Sequence, residues 1–102
     1  VMIRIIIERK AKSAKDTHHL LALLRLIRTE AMRQPGYVSG ETLVSTENRA
    51  EIIVISTWQS LKEWKVWQAS EKRVEIEKQF AEILSEEAKI TSYRYLSYRG
   101  GA

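Results

Sequence analysis

The stretch "AEIIVISTWQSLKEWKVW", Ala50 to Trp67, reads as a strand running straight into a capped helix, and that junction decides the fold. Ile52, Ile53, Val54 and Ile55 are β-branched and apolar, which suits a strand. They do not alternate with polar residues, so the strand is expected to bury both faces rather than show one to water. Ser60 and Glu63 follow three apart, the spacing of a capping box that opens a helix. A second cap at Ser70 predicts a break, and then a helix carrying Ile76, Phe80, Ile83 and Leu84.

Upstream, "YVSGETLVS" is another strand-like run, joined to the first by "TENR", whose polar residues suit a hairpin turn. At the start of the chain "MIRIIIERK" is short and β-branched, with Ile3, Ile5 and Ile7 on one face and Met2, Arg4, Ile6 and Glu8 on the other. Between these runs lies "SAKDTHHLLALLRLIRTEAMRQPG". Asp16 is the expected N-cap, Gln34, Pro35 and Gly36 the stop, and Leu20, Leu24, Ile27 and Ala31 an apolar stripe. The closing "KITSYRYLSY" reads as a tyrosine-rich strand.

The order is therefore β, α, β, β, α, β, with the second helical region in two pieces. That is an α+β, ferredoxin-like arrangement: a four-stranded antiparallel sheet with helices on one face, built as a single domain over residues 1–102. The doubly apolar strand then leaves the other sheet face in need of cover. A second copy of the chain is the simplest cover, and pairing of edge strands would also remove exposed backbone groups, so a homodimer is expected.

Composition narrows the classes. No cysteine is available for a disulfide or a thiolate metal site, and no run approaches the length of a membrane span. Met2 reads as the natural start, with no signal-peptide order behind it, and a cytoplasmic protein with no membrane partner is expected. The net charge is +4, but the 17 basic residues are dispersed among acidic ones. Without a basic stripe, and with isoleucine and valine where an RNA-binding sheet would carry stacking aromatics, nucleic acid is not an expected partner. The four glycines form no phosphate-cradling loop, and no nucleophile-elbow motif is present.

All three tryptophans fall in the opening stretch: Trp58 ends the strand, while Trp64 and Trp67 share a side of the helix with Leu61. Bulky aromatics can simply fill a strand-helix corner. They can also wall a cavity that holds a ligand with polar groups.

"GYVSGETLVS", "IIVISTWQSLKEWKVWQASEKR" and "ITSYRYLSY" together resemble the antibiotic biosynthesis monooxygenase family of dimeric α+β barrels. The match is most specific at Trp58, Ser60, Trp67 and Ser70. The resemblance implies a modest pocket between sheet and helices in each subunit. It implies cofactor-free oxidation of phenols or quinols by dioxygen, with the substrate itself supplying electrons, although the family also includes haem-degrading enzymes. In those enzymes a tryptophan, a histidine and an asparagine matter. Trp67 matches the first, but the histidine position falls at Glu77 and the asparagine position at Ile5 or Ile7. Two of three groups are missing, and a carboxylate is a poor substitute for imidazole on haem iron, so haem is disfavoured and no cofactor or metal is expected.

Trp67 and Glu77 are the candidate catalytic residues. Trp64, His19, Ile5 and Ile7 are the candidate substrate-binding residues. Glu77 could take a phenolic proton, or else form an i, i+4 ion pair with Arg73 at the helix edge. His18 and His19 point about 100 degrees apart and cannot readily share a metal; His18 reads as solvated, while His19 borders the apolar stripe. Tyr93 and Tyr95 suit dimer packing. The leading expectation is a homodimeric, cofactor-independent monooxygenase for a small aromatic phenol or quinol; the alternative is a non-catalytic dimer that binds an aromatic metabolite.

Overall fold

Alternation along the first strand sets the architecture. In a computed structural model that describes residues 1–96, β1 (Ile3–Lys10) buries Ile3, Ile5, Ile7 and Arg9 on one face and leaves Arg4, Ile6, Glu8 and Lys10 on the other. It pairs antiparallel with β3 (Glu51–Trp58) on one side and β4 (Lys89–Arg94) on the other. β2 (Tyr37–Val44) adds to the far edge of β3, giving the sheet order β2-β3-β1-β4. Ser97 and Tyr98 of the expected last strand lie outside the described residues.

All helices pack on the face carrying Ile5. α1 (Thr17–Ala31) buries Leu20, Leu23, Leu24 and Ile27, so Leu23 joins the expected stripe while Ala31 at its end is only partly buried. Asp16 does not cap it by its side chain. A short 3-10 turn over Ala14–Asp16 already coils the chain, so Asp16 has helical backbone angles and its carboxylate accepts from the Ser13 hydroxyl instead. Helical angles at this position swing the side chain away from the amides it would cap.

The two serine caps form as expected. Ser60 Oγ accepts from the Glu63 amide at 3.2 Å and donates to Glu63 Oε1 at 3.0 Å, opening α2 (Leu61–Gln68). Ser70 Oγ accepts from the Arg73 amide at 3.2 Å and opens α3 (Glu71–Ala81). Gly36 has a φ of 89°, and a Cβ there would collide with the Glu63 carboxylate, so glycine is required where the stop after α1 meets this cap. Its carbonyl accepts from the Gln59 amide, tying the start of β2 to the end of β3.

Two expectations shift. α3 ends at Ala81, before Ile83 and Leu84, which stay buried by a different route. Leu84 bridges Ala11 and the Ile83 carbonyl accepts from Lys12, so the pair is held by the loop after β1 rather than by a helix. Leu61 does not join Trp64 and Trp67 in the core; as the first residue of α2 it remains largely exposed.

β3 meets the expected burial of both faces only in part. Ile52, Ser56 and Trp58 are buried under the helices, whereas Ile53 and Ile55 are half-buried on the opposite face, where no helix lies. That open face also carries Ile6, Leu43 and Tyr93, crossed by the ion pairs Arg4–Glu41 and Glu8–Lys89.

Candidate functional site

The tryptophans sit where β3 turns into α2, and they form the wall of a cleft bounded by α1, the β2–β3 hairpin and α3. Trp58 is almost wholly buried and donates its indole N–H to Ser56 Oγ at 3.1 Å, which settles its one polar group inside the protein. Tyr37 and Trp64 meet it edge to face, at centroid distances of 5.4 and 5.7 Å. Trp67, one turn on from Trp64, is buried and lines the same cleft. Capping by Ser60 fixes the start of α2, and therefore the side on which both indoles point.

At the inner end of the cleft lie two arginines. Arg9 continues the inward face of β1 after Ile7, and its guanidinium stacks on the Phe80 ring at 4.1 Å. Arg73, in the first turn of α3, stands over Trp64 at 5.2 Å. Glu77 Oε1 joins them, accepting from Arg9 Nη2 at 2.5 Å and lying 3.3 Å from Arg73 Nη2. The arginine side chains are only 1% and 6% exposed, so two buried cations share one carboxylate. Burial lowers the pKa of both guanidiniums, with Glu77 opposing the shift; Arg9 lowers that of Arg73 further. Among the described residues Arg9 Nε and Arg73 Nε find no hydrogen-bond partner, and Arg73 Nη2 has only its ion-pair contact with Glu77.

The cleft encloses about 40 Å³. An apolar cavity that admits benzene is roughly 150 Å³. The chamber expected between sheet and helices therefore exists in outline but is nearly filled, and a ring would have to occupy its mouth or push its walls apart. At that mouth Arg28 donates to the Gly40 carbonyl at 3.3 Å, an exposed link between α1 and β2. Arg73 also lines an open trough of about 590 Å³, together with Glu77, Glu86, Glu87, Leu84 and Ile90.

The candidate residues divide accordingly. Trp64, Trp67 and Ile7 come together in the cleft. Ile5 is fully buried in the core and does not line it. His19 is exposed on α1 and is not brought to the cleft, because the turn that buries Leu20 and Leu23 points it outward. Glu77 lies behind the cleft, facing the trough, and its i, i+4 pair with Arg73 forms in a buried position rather than at a helix edge. Arg9 and Arg73 were missed. The signal for Arg9 was the period-two series Ile3, Ile5, Ile7, which reaches residue 9; for Arg73 it was its place three before Ile76 and seven before Phe80.

The donor set does not suit haem. The position expected to hold the iron ligand carries a carboxylate already bound to two guanidiniums, and Ile5 and Ile7 offer no polar group.

The family model for antibiotic biosynthesis monooxygenases matches residues 2–79. The chain belongs to the antibiotic biosynthesis monooxygenase family. No curated protein matches it in sequence. Solved structures share the fold of this family member at low identity. A conserved protein from Methanosarcina mazei Go1 is 18% identical with a TM-score of 0.85, covering 92% of each chain. Rv0793 from Mycobacterium tuberculosis is 18% identical with a TM-score of 0.83, covering 98% of this chain and 100% of that one. SnoaB from Streptomyces nogalater, a cofactor-independent oxygenase, is 10% identical with a TM-score of 0.83, covering 97% of each. The monooxygenase-type fold is thus shared, including with an oxygenase that needs no cofactor.

Proposed function

We propose that the protein is a homodimeric, cofactor-independent monooxygenase that oxidises a small aromatic phenol or quinol with dioxygen in the tryptophan-walled cleft. The observation that carries the reading is the cleft itself: Trp58, Trp64, Trp67 and Tyr37 on its apolar walls, with guanidiniums at its inner end. In such a reaction the electrons come from the substrate. A ring C–H and the phenolic O–H are lost, one oxygen atom enters the ring as a carbonyl, and the other leaves as water with the two hydrogens. The protein's part is to bind, orient and keep bulk water from the electron-rich ring. Trp67 serves as a wall against that ring. Glu77 acts by holding Arg9 and Arg73 in place rather than as a free base, since its near oxygen is engaged by both.

A second copy laid on the open sheet face is the proposed partner. Ile6, Ile53, Ile55 and Leu43 there form an apolar surface that the chain's own helices do not cover.

The alternative is a non-catalytic dimer that holds an aromatic metabolite. It is favoured by one observation: no histidine lines the cleft, and Glu77 is committed elsewhere. Oxygen uptake with a panel of phenols and quinols separates the two. The oxygenase reading predicts one dioxygen consumed per substrate, above the rate without protein, and about tenfold or greater loss of that rate in Trp67→Phe. Saturable binding with no oxygen consumed across the panel would favour the binder instead.

A further inference from the structure

The cluster at the inner end of the cleft is not balanced in charge. Arg9 and Arg73 remain guanidinium cations at neutral pH, and Glu77 supplies a single negative charge. One positive charge is left where protein has replaced water, and Arg9 Nε and Arg73 Nε find no hydrogen-bond partner among the described residues. Stacking on Phe80 and Trp64 offsets part of that cost but does not cancel the charge. A site in this state is completed by an anion.

We propose that the cleft takes an aromatic oxyanion, a phenolate or an arene carboxylate, whose charged oxygen head pairs with Arg73 and Arg9 while its ring rests against Trp67 and Tyr37. The inference rests on the reading of this cleft as the ligand site, and it names the charge of the ligand.

Three features agree on that occupant. A cleft of about 40 Å³ falls well short of the roughly 150 Å³ of a cavity that admits benzene, so it takes an oxygen head and leaves the ring in the mouth. There Gly40 keeps the edge of β2 low, since a Cβ at this position would come 2.5 Å from the Tyr37 hydroxyl. Access from behind is disfavoured, because an anion entering by the trough meets Glu77, Glu86 and Glu87 against the single cation Arg73. From the front it meets Arg28 on α1 and Tyr37 on β2, while the Glu41 carboxylate is turned to the opposite sheet face toward Arg4.

For a phenol the consequence is chemical. Its proton leaves to water as the phenolate pairs with the guanidiniums, so deprotonation needs no basic side chain in the cleft. The same pairing makes the bound ring the electron-rich form.

Titration with 4-nitrophenol under nitrogen tests this, because its ionisation is read directly from its colour and its electron-poor ring does not reduce dioxygen. Bound probe is expected to ionise at least about one pH unit lower than free probe, which is about tenfold tighter binding of phenolate than of phenol. The neutral analogue 4-nitroanisole should bind about tenfold more weakly than the phenolate, and Arg73→Met should remove the preference. Ionisation of the bound probe at the same or a higher pH would overturn the proposal, as would equal binding of the two probes. Displacement by sodium chloride at the probe's own concentration would also overturn it, leaving a site for inorganic anions only. If Arg73→Met does not fold, the two-probe comparison on the unaltered protein decides. Because no oxygen is involved, a failed uptake experiment leaves this result standing, and the converse holds too.

Discussion

The two faces of one strand, β3, were finished in different ways. Toward the helices Ile52, Ser56 and Trp58 are buried by the chain's own α1, α2 and α3, and even the arginines on that side are stacked and paired. Toward the other side Ile53 and Ile55 lie among ion-paired neighbours with no layer above them. One face is closed by a single chain; the other carries nearly as much β-branched surface and no cover. The difference separates what folds the protein from what assembles it, and it locates the candidate site on the self-sufficient side.

The largest effect should come from breaking the closed face. Phe80 is fully buried and supports the Arg9 guanidinium, so Phe80→Ala is expected to cost about 3–5 kcal/mol in urea unfolding, as a cavity and a lost stack combine. A cost under about 1 kcal/mol would mean that the helical layer is looser than this packing implies. Next comes Glu77→Gln, which leaves two buried guanidiniums with no counter-charge. Removing one partner of a buried pair costs about 3–5 kcal/mol, and because Glu77 is 24% exposed the expected loss is nearer 2 kcal/mol. Part of that loss should be recovered by adding benzoate, since an arene carboxylate would return the missing charge.

The open face is tested by Ile55→Lys. The new ammonium would lie across from Glu41 in the strand register and should leave the unfolding free energy of the isolated chain within about 1 kcal/mol. Sedimentation or size exclusion should nevertheless change from two chains to one, at 11.8 kDa. A variant that stays dimeric would place the partner elsewhere.

That asymmetry also marks what could be read without coordinates. The element order, the Ser60 and Ser70 caps, the break between α2 and α3 and the uncovered second face were all legible, because local chemistry encodes them: a hydroxyl three residues before a backbone amide, or apolar runs that do not alternate. The site was legible only as far as its tryptophans. Arg9 and Arg73 were hidden because charged residues are ordinarily solvated, and their burial depends on Phe80, Trp64 and Glu77 arriving from distant parts of the chain. The volume of the cleft was equally beyond reach. It is set by how closely α1 approaches the hairpin, which no periodicity reports.

A smaller effect sharpens the sequence side of the comparison. Ser60→Ala removes an acceptor for the Glu63 amide and a donor to its carboxylate, and should cost about 1 kcal/mol. Because that cap orients Trp64 and Trp67, affinity for the cleft ligand should fall along with stability. Ser70→Ala should cost about as much, and it should disturb Arg73 rather than the indoles.

The smallest effect is the most informative about the open face. Arg4 and Glu41 lie 3.7 Å apart with side chains 41% and 59% exposed, reaching across β3 between β1 and β2. In a free chain such a pair contributes about 0–1 kcal/mol, because water screens it and two long side chains must be ordered to form it. Arg4→Gln should therefore change unfolding of dilute, monomeric protein by less than about 0.5 kcal/mol. If a second copy covers this face, the same pair loses its water and Glu41 is left unmatched in the variant, so the cost of the substitution must grow as protein concentration rises through the dissociation constant. A cost that stays flat with concentration would mean that the partner does not lie over β1 and β2, even if a dimer forms.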